Sequence, residues 1–403
     1  MGLPILSARW MRKIPMSEPV IYLNNAATTW PKPDRVIEKL VWAATELLST
    51  PGRGSAGVRS ERVLFEAREN VARFVGARDS SRIIFTCNAT AALNLAISGL
   101  LIHGDHVVTT SMDHNSVARP LARMEDERGV SVTRVQADRE GLVTPGSVLD
   151  AVRPETALVI LTHASNVTGT IQPVEEVSRG LGSGGDNRPR LLVDAAQTAG
   201  VLPIDVMGTG IDLLAVPGHK ALYGPSGTGF LYVAPDLVLD PVFEGGTGGQ
   251  STLRRQPELL PERYESGTPN IPGIAALGEA VSFIQDRGLE EARGHETVLF
   301  NLLTDGLREI PGVTLFGPCD HRLQVAVVSF RLEGMDPAEV GGFLEETMGI
   351  QVRVGLHCSP LSHRTIGSYP EGTVRVSPGL FNTSDDIAAL INGVRKIQEL
   401  RGA

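Results

Sequence analysis

A chain of 403 residues can bury a large core and has the length of about two domains. Its 42% apolar and 21% charged residues are those of an ordinary globular protein, and its net charge of −9, with no offsetting Lys/Arg stripe, argues against nucleic acid as the main partner. No apolar run approaches the ~18 residues of a membrane span. The three cysteines, Cys87, Cys319 and Cys358, form no CxxC pair, so a disulfide framework is excluded and a reducing cytoplasm is expected.

Residues 1–15 carry Arg9, Arg12 and Lys13 and no acid. The charge follows the apolar residues Leu3 to Leu6, the wrong order for a signal peptide, so a loose tail is expected, with Met16 a candidate natural start. A short strand is expected at 20–23. Pro31 and Pro33 delay the first helix, 35–48, which Asp34 is placed to cap. A loop at 51–55 precedes an amphipathic helix at 60–75, with Val63, Leu64, Ala67, Val71 and Phe74 on one face.

Strands and helices then alternate: strand 82–87, a helix 89–101 capped by Asn88, strand 106–110, helix 116–128 and strand 131–136. A helix at 147–152 leads to strands at 157–162, 191–195, 213–216 and 229–233, with a surface loop at 182–189. These strands are near-continuous apolar runs, as expected when helices cover both faces of a mostly parallel α/β sheet. Beyond Pro272 the pattern changes to helices at 273–286 and 289–310, strands at 313–316 and 325–332, and a helix at 337–348. Short strands around Val352 and Val374 and a last helix at 384–400 complete a smaller α+β unit.

The chemistry centres on Gly218-His219-Lys220. A lysine at a strand end is placed for burial, and a buried lysine becomes the nucleophilic amine that a Schiff base to an aldehyde cofactor requires. Upstream, Asp194 ends an apolar strand, where a carboxylate can hold a pyridinium nitrogen protonated. Together they suggest a pyridoxal 5'-phosphate (PLP) site. The strand-to-helix turn Cys87-Asn88-Ala89-Thr90 offers free amides and a dipole end to a phosphate, with Thr90 adding a hydroxyl and His219 a second candidate. His114 can lie over a pyridine ring, or simply neighbour a helix cap. Asn166 and Gln197 can bond a ring hydroxyl. Arg375, in an apolar strand, suits a substrate carboxylate. Cys87 and Cys319 read as buried small hydrophobes, whereas Cys358, in a polar turn-rich segment beside His357, reads as a reactive thiol. His357, Cys358 and His363 lack a fourth ligand, and no metal is expected. The Gly-rich runs 224–229 and 245–249 lack a nucleotide-loop ending and read as tight turns.

From Tyr22-Leu23-Asn24-Asn25-Ala26-Ala27 to Leu380-Phe381-Asn382-Thr383 the chain resembles the cysteine desulfurases of aminotransferase class V, in the branch that includes selenocysteine lyases. Asp194-Ala195-Ala196-Gln197, Gly218-His219-Lys220, Glu265-Ser266-Gly267-Thr268-Pro269-Asn270 and the His357-Cys358 loop carry the resemblance. It implies PLP fold-type I, aspartate aminotransferase-like: α/β, with an N-terminal tail (1–19), a large mostly parallel-sheet domain (20–275) and a smaller α+β C-terminal domain (276–403). It implies that Lys220 holds PLP, Asp194 the ring nitrogen, and Asn166 and Gln197 the ring hydroxyl. His114 would stack on the ring and move protons. Ala89, Thr90 and His219 would bind phosphate, with Thr268 reaching the phosphate of the other subunit of a homodimer. Arg375 and Asn25 would bind substrate, and Cys358 would take sulfur from L-cysteine as a persulfide, leaving alanine for a cytoplasmic enzyme with a possible sulfur-acceptor protein. Selenocysteine lyase, C–S lyase on a cysteine conjugate, and a scaffold without turnover are the alternatives. Pro217 and Ala89 replace hydroxyl residues usual in the family, so the phosphate cradle would lean on backbone amides and His219.

Overall fold

The structure, a computed structural model, describes residues 20–47, 54–182 and 188–402. The expected tail, residues 51–53 of the expected loop at 51–55, and most of that at 182–189 lie outside the described residues. Strand β1 (Ile21–Tyr22) opens the fold, followed by helices α1 (Asp34–Glu46) and α2 (Gly54–Phe74). Asp34 stands in the first turn of α1 rather than at its cap, which Pro33 occupies without a side-chain bond. Along α2 the predicted face is realised: Val63, Ala67 and Val71 are buried, and Leu64 and Phe74 pack beside the core.

Next come β2 (Ile83–Thr86), α3 (Ala89–Leu100), β3 (His106–Thr110), α4 (Asn115–Arg128), β4 (Ser131–Val135), α5 (Pro145–Asp150) and β5 (Thr156–Thr162). Then follow α6 (Val174–Leu181), β6 (Arg190–Asp194), α7 (Val206–Thr209), β7 (Leu213–Pro217) and β8 (Gly229–Val233). Seven of these strands form one sheet in the order β2-β8-β7-β6-β5-β3-β4. Only β8 runs against its neighbours, so the sheet is mostly parallel. Its central strands are sealed on both faces: Val159, Ile160, Leu192, Val193, Leu214 and Ala215 have no exposed surface. Truncating Ile160 or Leu192 to alanine would cost about 2–5 kcal/mol, because so enclosed a site cannot collapse around the gap.

The remaining elements are α8 (Ile271–Arg287), α9 (Leu289–Arg308), β9 (Val313–Phe316), β10 (Val328–Leu332), α10 (Pro337–Met348), β11 (Ile350–Gln351), β12 (Arg353–Gly355), α11 (Pro360–Ile366), β13 (Thr373–Val376) and α12 (Ser384–Gly402). A second sheet, β12-β13-β10-β9, is antiparallel and closes its own core around Phe300, Phe330 and Leu390. The expected boundary at 275/276 falls inside α8, a continuous helix that packs on α1 and α2. The N-terminal segment belongs with the second sheet: β1 pairs with β11, and Leu23 enters that core. The two sheets are stitched beside the C-terminal edge of the first, where Ser329 Oγ donates to the Val167 carbonyl and Leu380 N–H to the Tyr223 hydroxyl.

Candidate functional site

In an open parallel sheet the strand ends leave a crevice where connecting loops diverge. Here a cavity of about 330 Å³ lies there, lined from both sheets and from the N-terminal segment. Lys220 follows the end of β7 in a turn that hydrogen bonds lock. Tyr223 N–H donates to the Lys220 carbonyl at 2.7 Å and Gly224 N–H to Gly218 at 2.8 Å. From the N-terminal segment, Thr29 Oγ1 donates to the Lys220 carbonyl, and Lys32 Nζ donates to that of His219. Tyr223 stands at φ 61°, a left-handed conformation that a side-chain-bearing residue adopts only under such constraint. Burial, with Arg375 adding to it, lowers the Lys220 ammonium to about 8, although Asp194 pulls it back up. A useful fraction of free amine is therefore present near neutral pH.

Asp194 ends β6 and is buried. Burial raises its carboxyl, which Lys220 and the Ala196 amide, donating to Oδ1 at 3.0 Å, oppose. Gln197 lines the cavity and spends Nε2 on the Ala26 carbonyl, leaving Oε1. At the start of α3, Asn88 caps the helix by accepting from Ala91 N–H. That leaves the Ala89 and Thr90 amides at the cavity without an intrahelical acceptor, beside the Thr90 hydroxyl. The turn lies tight against the sheet: a Cβ on Gly229 would sit 2.7 Å from the Val216 carbonyl and 2.9 Å from Asn88. His219 faces the cavity with its buried Nδ1 unpartnered, held neutral near 4 by burial and by Lys220 and Lys32. Pro217 lines the same wall and has no donor.

His114 is itself the cap of α4, accepting the Ser116 N–H at Nδ1. That bond fixes the tautomer, with the ring hydrogen on Nε2. Burial, with Lys220, Arg375 and Arg119 nearby, lowers the imidazolium to about 4, so the ring is neutral. Asn166 lies beyond β5 and both ends of its amide hold the cysteine loop. Nδ2 donates to the His357 carbonyl at 2.7 Å, and Oδ1 accepts from Ser359 Oγ at 2.7 Å. The Asn115 amide donates to the Cys358 carbonyl. His357 and Cys358 stand at φ 49° and 58°, so these bonds hold a strained turn.

Cys358 is exposed into the cavity, as expected of a reactive thiol. The neighbouring His357 is not an available base. Its Nε2 meets Thr373 Oγ1, and because that hydroxyl donates onward to Ser329 Oγ, the imidazole must donate. Burial and Arg375 push its imidazolium well below the usual range. The reading of the other cysteines as buried hydrophobes is corrected: Cys87 is exposed at the end of β2, and Cys319 is half-buried at φ 53°.

Arg375 is buried on β13, its Nη1 on the Asn166 carbonyl and Nη2 on Asn24 Oδ1, with Nε unpartnered. Among the described residues no carboxylate pairs with it, and burial with Arg353 lowers it to about 10. Such a cation calls for an anion from outside. Asn25, by contrast, lies outside this cavity. It braces the chain by donating to Ser377 O and Asn382 Oδ1, while its neighbour Asn24, which sequence reasoning passed over, touches Arg375. Thr268 is exposed and also outside the cavity. Its segment is anchored by a part-buried ion pair, Glu265 accepting from Arg68 at 2.6 and 2.8 Å.

A lysine kept part-neutral wants an electrophile, and an unpaired buried arginine wants an anion. Fold and cavity thus define an α/β protein with a site suited to a small anionic molecule. The comparisons with known proteins narrow this. Residues 21–390 match the family Aminotransferase class-V. A probable cysteine desulfurase of Methanothermobacter thermautotrophicus is 38% identical over 94% of this chain and 95% of its own. One from Halalkalibacterium halodurans is 34% identical over 95% and 94%. The apo structure of a cysteine desulfurase from Thermococcus onnurineus superposes with a TM-score of 0.88 at 30% identity, covering 94% and 95%. The chain belongs to the aminotransferase class-V family, among its cysteine desulfurases.

Proposed function

We propose that this protein is a PLP-dependent cysteine desulfurase that converts L-cysteine to L-alanine and takes the sulfur on Cys358 as a persulfide. The observation that carries the reading is Cys358, exposed in the same cavity as Lys220, Asp194 and the unpaired Arg375. The residues fit the cofactor. Ala89 and Thr90 amides and the orphaned His219 Nδ1 suit its phosphate, Asp194 its ring nitrogen, Gln197 and the second Nδ2 hydrogen of Asn166 its hydroxyl, and Lys220 its aldehyde. When bound, PLP supplies an electron sink for bonds at the substrate's α-carbon.

Arg375 holds the substrate carboxylate, with Asn24 orienting the guanidinium. The part-neutral Lys220 amine carries protons to and from the reacting carbon, and His114, neutral with Nδ1 held by the Ser116 amide, keeps a hydrogen on Nε2 to donate in the cavity. The Cys358 thiolate attacks the substrate sulfur. An S–S bond forms, the C–S bond breaks with its electron pair left on the substrate, and protonation there yields alanine. We place the enzyme in the cytoplasm as a homodimer, with Thr268 reaching the phosphate bound by the other subunit, and with a thiol-bearing acceptor for the persulfide. No helix among the described residues is long and apolar enough to cross a membrane.

Product analysis tests this. Cysteine should give sulfide and alanine in the presence of a reductant, and Cys358→Ala should stop it. Full sulfide release by that variant would instead indicate a C–S lyase that eliminates its thiol directly, while turnover confined to selenocysteine would indicate a selenocysteine lyase.

A further inference from the structure

Arg353 and Arg375 stand directly opposite one another in the β12–β13 ladder. Residues in that relation project from the same face, where like charges destabilise a sheet. Both line the cavity, and among the described residues neither has a carboxylate partner. The Arg375 side chain at least bonds Asn166 and Asn24, whereas that of Arg353 is exposed and makes no hydrogen bond or ion pair among the described residues. A local rule broken at the wall of a reactive cavity points to function.

The charges lining the cavity can be assigned. Its cations are Lys220, Arg353 and Arg375, its carboxylate is Asp194, and His114, His219 and His357 are all kept neutral by burial. On the reading above, Lys220 and Asp194 serve the cofactor and Arg375 the substrate carboxylate. Among the lining side chains one cation is left without a task, while the cofactor phosphate would rest on the amides at the start of α3. One group becomes an anion in the reaction: the sulfur on Cys358, just past the end of β12 and also within electrostatic reach of Lys220 and Arg375. No imidazolium is present to pair with it.

We propose that Arg353 is the counter-ion of the sulfur anion on Cys358, thiolate before sulfur is taken and persulfide afterwards, rather than a second clamp for the amino-acid carboxylate. When Cys358 Sγ attacks the substrate sulfur, the C–S electron pair stays with the substrate, and the persulfide so formed becomes an anion beside Arg353 once its outer sulfur gives up the thiol proton. When an acceptor thiolate then attacks that outer sulfur, the S–S electron pair returns to Sγ, and the thiolate regains the same partner. The proposal rests on Cys358 being the sulfur-taking residue.

The test uses the holoenzyme and its Arg353→Gln and Arg353→Lys variants, following alkylation of the Cys358 peptide by mass, because the exposed Cys87 also reacts. Arg353→Gln should slow iodoacetamide at Cys358 by about three- to fivefold, the size of a partly screened charge pair. Anionic iodoacetate should slow further, and Arg353→Lys should restore most of both rates. The KM for cysteine and the cofactor absorbance should not move. A raised KM with unchanged alkylation would make Arg353 a substrate clamp, and no change in either would make it a solvated surface charge; both overturn the proposal. Cys358→Ala, assayed in parallel, separates the two readings. If it still releases sulfide, the desulfurase mechanism fails and the role of Arg353 with it.

Discussion

Replacing Asn166 with alanine removes two buried hydrogen bonds from the turn that presents Cys358. The orphaned partners, the His357 carbonyl and the Ser359 hydroxyl, lie in residues that are 6% and 0% exposed, so water cannot stand in freely. Each lost bond of this kind costs about 1–3 kcal/mol. The turn also stores strain at His357 and Cys358, roughly 1–2 kcal/mol per residue in the left-handed region, which those bonds offset. Urea denaturation should therefore show a loss of about 2–4 kcal/mol, partly as local loosening rather than global unfolding. Turnover should fall by about a hundredfold, since misplacing a reacting atom by an ångström costs that much. The Arg375 bond to the Asn166 main chain survives the change, so substrate affinity should be affected less. Ser359→Ala shares one of the two bonds, and combining the variants should cost about 1 kcal/mol less than the sum of the singles. Full stability and full turnover in Asn166→Ala would refute this account of the loop. A shifted cofactor absorbance with an unchanged Cys358 alkylation rate would return Asn166 to ring binding alone.

Lys220→Ala should lose turnover with every amino acid, and borohydride should fix the cofactor to the unmodified protein on the Lys220 peptide; a stable adduct on another lysine would overturn the assignment. Glu296 on α9 is buried, and burial raises its carboxyl to about 7 despite Arg293. Below the unfolded value near 4.5 both states hold the proton, but between there and 7 only the folded state does, so stability should fall as pH rises through that window. The loss should approach about 3 kcal/mol at one pKa unit per 1.4 kcal/mol, and Glu296→Gln should flatten it in melts across pH; an unchanged slope would count against burial as the cause.

The strands of the first sheet were legible because a parallel sheet covered on both faces needs unbroken apolar runs, as in Leu191-Leu192-Val193. Helices α6 and α11 escaped detection, each having too few residues for a periodic pattern to stand out. The expected strand at 325–332 begins only at Val328, because the Val325 amide bonds the Gly169 loop instead. In the site, Lys220, Asp194, His114 and Arg375 converge because each sits at or near a strand of the expected sheets. The choice between Asn24 and Asn25 was not legible. Adjacent residues of an extended segment face opposite ways, and only the bridge of Asn24 to Ser377 decides which one meets Arg375. The exposure of Cys87 follows from its place between a strand end and a helix cap, which overrides the usual preference of cysteine for the interior.

The central claim, that sulfur passes from cysteine to Cys358, is tested most directly by a single turnover without reductant. Holoenzyme mixed with a slight excess of L-cysteine should yield about one alanine per chain, and the Cys358 peptide should gain the mass of one sulfur atom while Cys87 and Cys319 gain none. Alanine or free sulfide formed with no sulfur on Cys358, or with sulfur on another cysteine, would contradict the account.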